Sequence, residues 1–136
     1  MTIELYDGRD ALVEAASARI ESELKAALAA RGKAGFILSG GSTPGPVYEA
    51  LSGVALDWSH VIVGLADERW VAADHPASNA GLVKRALLKD QASAATFLPM
   101  KTEHATAREA VEALDASYAA FDGALDVMVL GMGPDG

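Results

Sequence analysis

The sequence contains no cysteine, which excludes disulfides, thiolate zinc sites and a cysteine nucleophile. Positive charge is scarce: 11 Lys and Arg stand against 19 Asp and Glu in 136 residues, a net charge of −8. That balance disfavours a nucleic-acid binder held by phosphate neutralisation. It leaves room for a small anionic ligand, because a few local donors override the global sign. No apolar run approaches the roughly 20 residues that span a bilayer. Met1-Thr2-Ile3-Glu4-Leu5 has neither the basic nor the apolar region of a signal peptide. The plain reading is a cytoplasmic protein with no nucleic-acid and no membrane partner. The three His residues lack metal-ligand spacing, so no metal site is expected. Repeats, linkers and low-complexity segments are missing as well. What remains is globular: 51% hydrophobic and 22% charged residues, in a length that fits one domain over residues 1–136.

Patterning gives the order of elements. Thr2–Tyr6 reads as a short strand. A helix follows over about Asp10–Arg31, with Leu12, Ala16, Ile20, Leu24 and Leu28 on one stripe and Gly32 as its stop. Gly35–Leu38 is a buried strand, and Pro44 opens a helix that turns Val47, Tyr48 and Leu51 inward. His60–Leu65 is the next strand, with Ser78 or Asn79 capping a helix that ends near Leu88. Thr96–Leu98 is a weak strand, Ala105–Phe121 a helix, and Leu125–Leu130 the last strand. Alternating strands and helices with nearly all-apolar inner strands predict an α/β fold, its mostly parallel sheet covered on both faces by helices. Ligands bind such sheets beyond the carboxyl ends of the strands. Three loops fall there: 39–43, 66–79 and 131–136.

Ser39-Gly40-Gly41-Ser42-Thr43-Pro44 combines glycines that allow close backbone approach, two hydroxyls and a following helix N-terminus. These are the parts of a phosphate cradle; an ordinary capped strand-to-helix turn uses the same residues. The loop is neither a nucleotide P-loop, for want of Gly-Lys-Ser/Thr, nor a Gly-x-Ser-x-Gly nucleophile elbow. Asp67-Glu68-Arg69-Trp70 sets two carboxylates and a guanidinium at a strand end. They suit a polyol and a phosphate, or a plain surface ion pair. Asn79 serves equally as a helix cap or a sugar ligand. His75 reads as a structural loop residue, and His60 and His104 as structural or surface groups. Gly131-x-Gly133-x-x-Gly136 matches the dinucleotide fingerprint, but its confirming helix lies past the last residue and Asp135 would repel a pyrophosphate.

Taken together, the three loops resemble those of the 6-phosphogluconolactonases, within a wider group that includes the glucosamine-6-phosphate deaminases and ribose-5-phosphate isomerase-like folds. Asp67-Glu68-Arg69 with Ser78-Asn79 favours the lactonases, since the deaminases typically carry Asp-Glu-Tyr and Ser-Tyr. The resemblance implies a Rossmann-like fold and hydrolysis of 6-phosphoglucono-δ-lactone to 6-phosphogluconate in the oxidative pentose phosphate pathway, with no cofactor. It implies a small phosphorylated sugar lactone as the partner, held by a monomer or small homo-oligomer. Gly40, Gly41, Ser42, Thr43 and Arg69 are then expected at the phosphate. Asp67, Glu68, Asn79, Gly131 and Gly133 line the rest of the substrate site. Asp135 shapes the loop that presents a general-base His expected just past Gly136. On this reading residues 1–136 are the front part of a longer catalytic domain, inactive without that base. A deaminase-like sugar-phosphate isomerase, a sugar-phosphate-binding regulatory domain without turnover and an NAD(P) enzyme are the alternatives.

Overall fold

Apolar residues four apart give the first helix one oily stripe. The computed structural model, which describes residues 1–123 and 125–134, forms that helix as α1 (Arg9–Arg31). Ile20, Leu24 and Ala27 are its buried residues. Gly32 ends it in the left-handed region at φ 73°, its N–H donating to the Leu28 carbonyl at 2.8 Å.

β1 (Ala34–Leu38) is buried at every position. A strand of that kind needs neighbours on both edges and cover on both faces. β2 (Val61–Leu65) pairs one edge and β4 (Val127–Met128) the other, while β3 (Thr96–Phe97) extends the sheet beyond β2. The order among the described residues is β3-β2-β1-β4, and every pairing is parallel. Phe36 aligns with Val63 and Val127 on one face, and Ile37 with Gly64 and Met128 on the other.

Right-handed crossovers then decide where the helices go. The steps β1 to β2 to β3 run in one direction, placing α2 (Pro44–Ser52) and α3 (Asn79–Ala86) on the face that α1 also covers. This is the main core, where Leu24, Phe36, Tyr48, Leu51, Trp58 and Leu65 are buried together. The return from β3 to β4 takes α4 (Val111–Tyr118) to the opposite face. There Phe121 lies so close to Gly64 that a Cβ on this glycine would stand 2.8 Å from its ring. The Tyr118 hydroxyl donates to the Leu98 carbonyl and accepts from the Leu65 N–H, both at 2.9 Å. No helix among the described residues is long and apolar enough to cross a membrane.

Three sequence expectations are corrected. Residues 2–6 form no strand: Ile3 and Leu5 are 75% and 91% exposed, and no described residue offers them a ladder. The helix expected over Ala105–Phe121 is α-helical only over α4, with 3₁₀ turns at Arg108–Ala110 and Ala119–Phe121. Burial there falls on Ala110 and Phe121 outside α4, so little packing enforces a longer α-helix. The strand expected over Leu125–Leu130 contracts to β4, aligned with Phe36 and Ile37; the Asp126 and Val129 N–H groups flanking it still donate to the Gly35 and Ile37 carbonyls at 3.0 and 2.9 Å, and β1 itself ends at Leu38.

Candidate functional site

β1 sends its following loop one way, toward α2 and β2, while β4 lies on its other side. The chain directions part between them, and such a switch point leaves a crevice at the carboxyl edge of a parallel sheet. A cleft of 1240 Å³ occupies this place. Its walls are the 39–44 segment, Asp67, Arg69 and Asn79, the 129–134 segment, and a flank of α1.

The first wall is built by the Ser-Gly-Gly-Ser-Thr-Pro run. Gly41 has φ 117°, a conformation L side chains rarely adopt. Pro44 opens α2, and Thr43 before it makes no side-chain capping bond. Pro44 and Pro46 carry no N–H, so among the first three residues of α2 only Gly45 offers one, without a Thr43 side-chain cap and at the positive end of the helix dipole. Ser42 and Thr43 are exposed beside it. Below this turn the Tyr48 hydroxyl donates to the Ser39 carbonyl at 2.7 Å. Burial pushes the Tyr48 phenol up to about 12, so it remains a neutral donor.

The second wall is the loop after β2. Glu68 turns its carboxylate away from the cleft and onto the start of α3. Oε1 accepts from the N–H groups of Asn79 at 2.7 Å and Arg69 at 2.8 Å, and Oε2 accepts from Ala80 N–H at 2.9 Å. Ser78 caps the same helix by accepting from Gly81 N–H at 3.1 Å. Asn79 donates its side-chain amide to the Asp67 carbonyl at 3.0 Å and packs against Gly40, where a Cβ would stand 2.0 Å from Asn79 Oδ1. Of the two readings for Asn79 the cap falls to Ser78, and the Asn79 side chain lines the cleft while tying two loops together. Trp70 fastens the far side of the loop, donating to the His104 carbonyl at 3.1 Å with Lys101 Nζ 4.8 Å from its ring centre. Arg69 makes no ion pair among the described residues, so the surface-pair reading of that guanidinium finds no partner.

Gly131 and Gly133 line the third wall. Asp135 lies outside the described residues. The histidines are engaged elsewhere: His60 with Asp57 at 2.7 Å, His104 with the Thr102 hydroxyl at 2.7 Å, and His75 accepting from Ala77 N–H at 3.0 Å. Among the described residues no group of three or more His, Asp or Glu is placed to hold a metal ion.

Two contributors were not singled out from the sequence. Tyr48 reads as a core residue, and its hydroxyl is the only hint, since a buried phenol needs an acceptor. Ser39 is buried with its hydroxyl unpartnered among the described residues, at the cleft floor and 3.9 Å from where a Gly131 Cβ would be. Its position before two glycines was the available signal.

The family model described as glucosamine-6-phosphate isomerases/6-phosphogluconolactonase matches residues 7–136. A 6-phosphogluconolactonase of Mesorhizobium japonicum is 44% identical over 96% of this chain and 55% of its own length. One from Pseudomonas aeruginosa is 45% identical over 88% of the chain and 50% of its own length. The crystal structure of a 6-phosphogluconolactonase from Shewanella baltica superposes with a TM-score of 0.93 at 44% identity, covering 96% of this chain and 56% of that one. The chain thus spans about half the length of the curated relatives it matches.

Proposed function

The chain belongs to the glucosamine-6-phosphate isomerase/6-phosphogluconolactonase family, and from that premise we propose that it serves hydrolysis of 6-phosphoglucono-δ-lactone to 6-phosphogluconate. The observation that carries this reading is the convergence, in one crevice at the sheet switch point, of the α2 N-terminus, the Arg69 guanidinium, which makes no ion pair among the described residues, and the Asp67 carboxylate. In this reading the 40–43 turn and Arg69 take the phosphate, which is doubly charged and needs donors rather than acceptors. Asp67, a carboxylate, suits the sugar hydroxyls. Held by its phosphate, the substrate keeps its distant carbonyl in a fixed place, which lowers the entropic part of the barrier.

The reaction needs a water that loses a proton as it attacks the lactone carbon, and donors for the oxyanion that forms before the ring C–O bond breaks. No covalent nucleophile is required. Because His60, His75 and His104 are engaged outside the cleft, the reading assigns binding and orientation to residues 1–134. Presentation of the water-activating group falls to the loop that Gly131 begins, with Asp135 shaping it.

The test is thermal denaturation with 6-phosphogluconate, gluconate and inorganic phosphate. At 100 times its dissociation constant a ligand adds ~2.7 kcal/mol of stability. We expect 6-phosphogluconate to raise Tm clearly and gluconate far less, with Arg69→Lys reducing the difference because a forked donor becomes a point charge. Equal shifts from 6-phosphogluconate and gluconate would overturn the phosphate cradle.

A further inference from the structure

We infer that Glu68 is a positioning residue of the cradle, one that never touches the ligand and acts on it through Arg69 and Asn79. The inference rests on the cleft reading above. Glu68 is the acidic member of the 67–69 run that does not line the cleft. Its carboxylate instead takes the N–H groups of the first two residues of α3, at 2.7 and 2.9 Å. Those donors have no partner within the helix, and a negative charge at this end is favoured by the helix dipole. Ser78 Oγ takes the third, from Gly81, at 3.1 Å.

The helix therefore has an ordinary local cap in Ser78 and a second one delivered by a loop residue eleven positions upstream of Asn79. A cap serving only the helix would not need to come from so far along the chain. What the long-range cap adds is a fixed position for the loop. Glu68 Oε1 also holds its own neighbour's N–H, that of Arg69, at 2.8 Å, which sets the direction in which the chain presents the guanidinium. By anchoring the Asn79 backbone it fixes an amide side chain that reaches the Asp67 carbonyl and presses on Gly40. One carboxylate thus keeps the Arg69 wall and the glycine turn in register across the cleft, though it lines no part of the cleft itself.

The discriminating experiment compares Glu68→Gln with Ser78→Ala, which removes the local cap and one long 3.4 Å hydroxyl bond to Glu68 Oε2 but leaves the Asn79, Ala80 and Arg69 N–H groups on the carboxylate. Dissociation constants for 6-phosphogluconate and inorganic phosphate are measured by titration calorimetry, and Tm by thermal denaturation. A glutamine offers an N–H₂ where one backbone donor needs an acceptor, so the clamp loses a contact while the side-chain shape is kept. We expect both variants to lower Tm, Glu68→Gln to weaken 6-phosphogluconate about tenfold, and Ser78→Ala to leave affinity unchanged. Adding Asn79→Ala to Glu68→Gln should cost little further affinity, because both act through one clamp. If Glu68→Gln does not fold, Glu68→Asp, which keeps the charge but shortens the reach, is expected to weaken binding in the same way. The inference is overturned if the Glu68 variant binds as tightly as the wild type, or if Ser78→Ala weakens binding as much. A wild-type chain that binds neither probe would instead overturn the cleft reading itself, and this inference with it.

Discussion

Gly40 has no room for a side chain. A Cβ there would stand 2.0 Å from Asn79 Oδ1 and 2.7 Å from Asn79 Cγ. We expect Gly40→Ala to push the Asn79 amide off the Asp67 carbonyl and to destabilise the fold by about 1–3 kcal/mol, as overpacking does. Denaturant unfolding checks this, and the double variant Gly40→Ala/Asn79→Ala should recover part of the loss, since the clash is removed with its partner. The motif that contains Gly40 was plain in the sequence as a turn. The reason Gly40 itself must be glycine was not, because it depends on a side chain 39 positions away that only the fold brings near. Glu68 taught the same lesson in reverse. Its place between Asp67 and Arg69 suggested a substrate ligand, and nothing local reveals that its two oxygens face the start of a helix beyond His75 and Ser78. Asp67, Arg69 and Asn79, by contrast, line the cleft where the sequence put them.

Among the elements, α1, β1, α2, β2 and α3 were legible because each carries its own periodicity or punctuation: a four-residue stripe, an unbroken apolar run, Pro44, Ser78, Gly32. The misread segments have pattern without partner. Ile3 and Leu5 alternate as a strand should, yet pairing is a tertiary event that alternation cannot supply. β4 is short, and one aspartate side chain adds to its backbone bonds with β1. Asp126 accepts from both the Gly35 N–H at 2.8 Å and the Arg31 guanidinium at 2.6 and 2.7 Å, binding the edge strand to the α1–β1 corner. Its side chain is only 13% exposed. We predict that Asp126→Ala lowers stability by about 1.5–3 kcal/mol, the range for hydrogen bonds to a charged group. Asp126→Asn, which can keep the Gly35 bond, should lose less. Urea denaturation of both variants decides it, and equal small losses would show that Asp126 is only a surface partner of Arg31.

At the scale of the whole molecule, stability is expected to fall on the alkaline side. The Tyr48 phenol titrates near 10 when unfolded and at about 12 when folded. Between those values the unfolded chain has released a proton that the folded chain keeps, so rising pH favours unfolding. Two units correspond to about 2–3 kcal/mol, fully present below pH ~10 and lost by pH ~12. Tyr48→Phe should remove that part of the decline when melting is followed across the range, at the expense of the bond to Ser39. The sheet order has a different consequence. β1 and β2 share a ladder of five aligned pairs, whereas β4 is aligned with β1 at only two. The two banks of the cleft therefore belong to cooperative units of unequal strength: the glycine turn rides on the robust one, and the Gly131 segment on the one that opens first. A molecule bound across both is a stitch between them, so occupying the cleft also steadies the weaker bank.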